Sequence, residues 1–94
     1  MNLDKSKKRI AKRAKMGFQG YPQISISYSG KTASHADEVL VEFLLEDGAE
    51  SQLERFASKL DAREDETIQS ALVKMIERSA AKTVVLIDGV RSIA

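Results

Sequence analysis

Between Gln23 and Ser29 the side chains alternate, with Ile24, Ile26 and Tyr28 on one side and Ser25, Ser27 and Ser29 on the other. That period of two marks a strand with one apolar face. Such a strand does not stand alone. Its backbone needs hydrogen-bonded neighbours and its apolar face needs a cover. The other segments must supply both.

Glu38 to Glu46 alternates in the same way: Val39, Val41, Phe43 and Leu45 on one side, Glu38, Leu40, Glu42, Leu44 and Glu46 on the other. Leu40, Phe43 and Leu44 also fit a helix face, but the β-branched pair and the neighbouring strand favour an antiparallel partner for residues 23–29. Gly30 to Ala36 is then the connecting loop, and Asp47-Gly48 ends the second strand.

After Gly48 the period changes. Leu53, Phe56, Ala57 and Leu60 fall at i, i+3, i+4 and i+7, which predicts a helix over residues 50–60, with Ser51 and Glu54 as a capping box. Beyond a break at Asp61 to Arg63, the stripe Ile68, Ala71, Leu72, Met75, Ile76 and Ser79 predicts a second helix over residues 64–80. Glu64, Asp65 and Glu66 lie at its start, and Arg78 and Lys82 at its end, as the helix dipole favours. Thr83 to Ile87 is an apolar run without alternation, as in a strand covered on both faces. Asp88-Gly89 then suits a two-residue hairpin turn, with Val90 to Ile93 as a short return strand. These elements add up to an α+β domain: an antiparallel sheet of three main strands in ββααβ order, with two helices packed on one face.

Residues 1–20 stand apart by charge. The first fifteen carry Lys5, Lys7, Lys8, Arg9, Lys12, Arg13 and Lys15 against Asp4 alone. Of 15 bases and 14 acids in the chain, 8 bases and 13 acids are left for the rest, so a basic segment adjoins an acidic body. Leu3, Ile10 and Ala14 can share a helix face, yet like charges at close helical spacing repel. The expectation is a basic N-terminal arm over residues 1–20, flexible or a frayed helix, joined by a Gly17-to-Pro22 hinge to a small α+β domain over residues 21–94.

Clustered lysines gain affinity for polyanions by releasing condensed counterions, so the seven arm cations are the candidate RNA- or DNA-binding residues. They would position a phosphate backbone without choosing bases. The arm lacks interleaved aromatics, so base stacking along a single strand is not suggested, and Phe18 and Tyr21 at its end are the only candidates for it. A second candidate surface is the outer side of residues 38–46. Leu40 and Leu44 offer apolar contact there, and Glu42 and Glu46 belong to an acidic ridge about 13–14 Å long from Glu38 to Glu46. A basic partner or a second copy of the chain would fit it. A domain of this size also has little core of its own, so either its packing is efficient or a second copy of the chain completes the core as a homodimer.

Chemistry finds few footholds. Gly30-Lys31-Thr32 resembles the tail of a phosphate-binding loop, but Ser25 stands where the motif needs glycine. Ser34, His35 and Asp37 are the residue types of a nucleophilic triad crowded onto one loop, whereas a triad is assembled from separated parts of a fold. His35 is the sole histidine and there is no cysteine, so neither a disulfide, a thiolate metal site nor a histidine-rich zinc site is available. The expectation is a non-enzymatic, cytoplasmic accessory or regulatory protein without catalytic residues, metal, cofactor, small-molecule substrate or membrane span. The alternative is a protein–protein interaction module or homodimeric adaptor with an acidic and apolar sheet surface.

The layout of residues 39–80 also resembles ribbon-helix-helix regulators: a short strand, a helix around LERFASKL, a tight turn and a second helix around ETIQSALVKMIER. In that family two strands pair across a dimer and their outward side chains read the major groove. The resemblance implies a DNA-binding dimer whose outward face is Glu38, Leu40, Glu42, Leu44 and Glu46. That face is acidic and apolar, and the strands at 23–29 and 83–87 have no place in the minimal fold.

Overall fold

A computed structural model describes residues 2–92. Helix α1 (Leu3–Lys15) is followed by strands β1 (Gln23–Gly30), β2 (Glu38–Leu44) and β3 (Gln52–Ala57). A 3₁₀ turn (Ala62–Glu64), helix α2 (Glu66–Arg78) and strand β4 (Thr83–Ser92) complete the chain. The sheet order is β3-β2-β1-β4. β1 pairs antiparallel with β2 and β2 antiparallel with β3, while β4 lies parallel to β1. The α+β class holds, but the sheet has four strands and is mixed.

Alternation in β1 and β2 places Ile24 opposite Phe43, Ile26 opposite Val41 and Tyr28 opposite Val39 on one face. Helix α2 covers that face with Ile68, Leu72, Val73 and Ile76, and Val84 of β4 and Ile10 of α1 join the same core. Asp65 starts α2 by accepting the Ile68 amide at 3.2 Å, and its other carboxylate oxygen accepts the Ser58 hydroxyl at 2.8 Å.

Three expectations are corrected. Residues 52–57 are a strand, not a helix. The pattern that imitated a helix face buries little, since Leu53 is 58 % and Leu60 62 % exposed. What fixes this segment is the backbone ladder to β2, from Phe43 opposite Gln52 to Glu38 opposite Ala57. The strand–helix–helix layout of a ribbon-helix-helix protein is therefore absent, because LERFASKL is largely β3.

Asp88-Gly89 does not reverse the chain either. β4 runs through it, and between the pairs Ile26–Leu86 and Tyr28–Val90 one residue of β1 faces three of β4. Gly89, at φ +81°, supplies the left-handed residue that this bulge needs, the same property that suits the pair to a hairpin. Of the expected return strand, Val90 to Ser92 belong to β4 and Ile93 lies outside the described residues.

The third correction concerns the N-terminus. Leu3–Lys15 is a docked helix rather than a flexible or frayed arm. Asn2 caps it by accepting the Lys5 amide at 2.9 Å, Asp4 sits in the first turn and Lys12, Arg13 and Lys15 in the last. It packs against α2 and β4, with Ile10 only 2 % exposed. The following segment is tied down rather than hinged. The Thr83 hydroxyl donates to the Gly20 carbonyl at 2.6 Å and accepts the Gln19 amide at 2.8 Å, and the Lys82 amide donates to the Pro22 carbonyl at 2.8 Å.

Candidate polyanion-binding face

Helical geometry divides the seven cations of α1 into two groups. At 100° per residue, Leu3, Ser6, Ile10 and Ala14 point toward the body, and Lys7 and Arg13 flank them. The flanking cations fasten the helix. Lys7 Nζ meets Glu64 Oε1 at 2.6 Å, and the Arg13 guanidinium donates to the Ala81 carbonyl at the end of the α2–β4 connection. Arg9, further round, reaches Glu77 of α2 at 3.1 Å. These bonds and the burial of Ile10 overcome the lysine–lysine repulsion that a lone helix of this composition would suffer.

Lys5, Lys8, Lys12 and Lys15 form the other group. Their spacing of three, four and three residues places them in one stripe on the side opposite Ile10, and all four are exposed. Among the described residues, no carboxylate lies within ion-pair distance of any of them. The stripe covers about 15 Å of helix axis. The sequence therefore marked all seven cations alike, whereas the fold spends three on its own body and leaves four outward. At the end of α1, Met16 and Phe18 are 54 % and 63 % exposed, and Phe18 stands edge-on to Tyr21 with ring centroids 5.3 Å apart.

The second candidate surface is the sheet face away from the helices. Leu40 lies there between Ser27 and Arg55, Glu42 between Ser25 and Leu53, and Leu44 opposite Gln23. Leu40 and Leu44 are half-buried and Glu42 is exposed. The acidic ridge is not continuous. Glu38 has Arg55 as a neighbour at 3.8 Å, and Glu46 lies past the end of β2 in the turn, where its carbonyl accepts the Ala49 amide at 3.1 Å.

Sequence reasoning passed over a third feature, an open groove of about 500 Å³ between α1 and β4. Its floor holds Tyr28 and Gln69, which the core stripe hides among apolar neighbours. Gln69 Nε2 donates to the Tyr28 hydroxyl at 2.8 Å and to the Ala62 carbonyl at 3.0 Å. Lys7, Lys8 and Arg63 stand around it, with Glu64 and Asp88. Arg63 is held by Asp61 through Nη2 at 2.6 Å and Nε at 2.9 Å. That side-chain contact keeps the Asp61 carboxyl far below the usual carboxylate range.

The Ser34–His35–Asp37 loop is organised for structure. His35 Nδ1 lies 3.1 Å from Asp37 Oδ1, and Asp37 Oδ2 accepts the Lys31 amide at 2.9 Å. That backbone bond, more than the imidazole, lowers the Asp37 pKa. Ser34 bonds Thr32 instead, 3.2 Å away. Among the described residues no group of acids and histidine is placed to hold a metal ion, and no helix is long and apolar enough to cross a membrane. Comparison with protein-family models, curated proteins and solved structures finds no match.

Proposed function

We propose that this chain is a non-enzymatic accessory or regulatory protein that contacts nucleic acid through the outer face of α1. One observation carries the reading: Lys5, Lys8, Lys12 and Lys15 are held in line on a folded helix, exposed and without an ion pair to the acidic body among the described residues. Charge presented on a preformed helix costs little ordering entropy when a polyanion binds. A stripe of about 15 Å matches roughly four phosphate intervals along one strand of B-DNA, at 3.4 Å each. Four neutralised phosphates give a salt slope, log K against log salt, of about −3.6 for duplex and −2.8 for single strands. Phe18, exposed beyond Lys15, offers a stacking surface to an unpaired base, which favours a single strand.

The test is substitution rather than truncation, because removing α1 would also remove Ile10 from the core. Lys5, Lys8, Lys12 and Lys15 are replaced together by Gln. Binding to short RNA and DNA is then titrated with salt. Parent binding with a slope near −3 and its loss in the variant are the expected results. Equal binding with an unchanged slope would remove α1 from the reading.

The uncovered sheet face favours a second reading, a protein–protein module or homodimeric adaptor. Leu53 is 58 % exposed beside Glu42, on the face that carries Leu40 and Leu44. Leu44→Glu compared with the parent by sedimentation tests a second copy as the partner. A dimer that the substitution dissociates supports it, and a monomer in both speaks against it.

A further inference from the structure

The groove between α1 and β4 shares Lys8 with the lysine stripe and carries an inference of its own. Tyr28 is 94 % removed from solvent, being 6 % exposed, and its ring comes up from the middle of β1 to the groove floor. Its hydroxyl oxygen already accepts a hydrogen bond from Gln69. The phenol's own proton has no acceptor among the described residues, although buried donors are ordinarily paired. Burial raises the pKa of the phenol against the opposing effects of the Gln69 hydrogen bond and the Lys7 and Arg63 charges, so it is a donor at neutral pH. Those same two cations line the groove with it. Lys7 spends one of its three protons on Glu64, and the second terminal nitrogen of Arg63 has no partner among the described residues. Beside this polar corner, Ile10, Ala11 and Leu86 make an apolar wall. Lys7 is paired with Glu64 and Arg63 with Asp61, which leaves Lys8 and Asp88 as the remaining charges of the lining.

We infer that this groove is a binding site for a small carboxylate with an apolar body. The carboxylate accepts from the Tyr28 hydroxyl between Lys7 and Arg63, and the body lies along Ile10, Ala11 and Leu86. A size of about 500 Å³ falls within the range of small-molecule sites, and the lining sets apolar side chains beside polar and charged ones. A carboxylate at this place offers acceptors to the phenol proton and to the unused N–H groups of Lys7 and Arg63 together, which an amine cannot do and the single oxygen of an alcohol does only in part.

The test uses the full chain, labelled with ¹⁵N, and hexanoate as the probe, with hexan-1-ol, hexylammonium and acetate beside it. Saturable shifts are expected for the amides of Lys8, Ala11, Leu86 and Gly89 with hexanoate, and binding weaker by about tenfold or more with each of the others. Tyr28→Phe deletes the donor and weakens hexanoate about tenfold, the worth of a hydrogen bond to a charged group. Ala11→Trp fills the groove from the half-buried side of α1 and leaves Tyr28 and Gln69 unsubstituted, so it tests the site even where Tyr28→Phe fails to fold. It should abolish the shifts. The inference is overturned by shifts that never saturate, by hexan-1-ol binding as well as hexanoate, or by undiminished binding in Ala11→Trp.

Discussion

Ser6 is wholly buried against the body, and its hydroxyl is the one buried side-chain oxygen without a hydrogen-bond partner among the described residues. A hydroxyl taken out of water unpaired costs about 1–3 kcal/mol on the scale of protein substitutions. Ser6→Ala relieves that cost and adds up to about 0.5 kcal/mol of helix propensity in the middle of α1. Against this stands the loss of the oxygen's own packing contacts, at about 0.1–0.2 kcal/mol for each atom pair. The net expectation is a gain of about 1–2 kcal/mol. In a domain of this size each kcal/mol moves Tm by about 4–8 °C, so a rise of about 4–16 °C follows. Thermal unfolding followed by helical circular dichroism measures it, and urea midpoints give the free energy directly. The gain should concentrate in α1, because Ser6 faces the contact that holds the helix down. Hydrogen exchange at the amides of Lys8 to Ala14 should slow relative to the parent. An equal or lower Tm would mean that the hydroxyl is satisfied after all, and that α1 docks in some other way.

Two further outcomes concern the loops. Asp61, whose carboxyl is depressed chiefly by the Arg63 side chain, stabilises the fold wherever it is ionised; that contribution is complete above the ordinary carboxylate pKa and is lost as pH falls through the depressed one. Asp61→Asn should therefore cost about 1–2 kcal/mol at pH 7, the worth of a cap and its charged partner, and the gap to the parent in urea midpoint should narrow as the solution is acidified below the carboxylate range. A gap independent of pH would contradict the pairing. Gly30→Ala should lose about 3 kcal/mol, because a Cβ built there falls 2.0 Å from the His35 carbonyl oxygen and the hairpin backbone would have to move. Native stability in that variant, measured by urea unfolding, would show that the β1–β2 loop is not packed as described.

Strands β1 and β2 and helix α2 are legible in the sequence for one reason: their periodicity coincides with their burial. Ile24, Ile26 and Tyr28 alternate because one face of β1 is covered, and Ile68, Leu72 and Ile76 recur at helical spacing because one face of α2 is. β3 imitates a helix because its apolar residues mostly face solvent and so carry no imprint of the core. Asp88-Gly89 imitates a hairpin because a bulge and a hairpin need the same left-handed glycine, and only the position of β1 beside β4 chooses between them. The groove is hidden in the same way. Nothing local distinguishes Tyr28 and Gln69 from other core positions until α1 is laid over them.

The α+β class, the pairing of β1 with β2, the amphipathic α2 and the charge imbalance of the first fifteen residues were set by the sequence through local spacing alone. Where α1 rests was decided only in three dimensions. Its carboxylate partners Glu64 and Glu77 lie 57 and 68 residues away in the chain, beyond the reach of any periodic pattern. Once Ile10 is buried and Lys7, Arg9 and Arg13 are engaged, the helix has one orientation, and that orientation selects which four lysines face outward. Long-range pairing, not composition, turned a basic segment into a charged face.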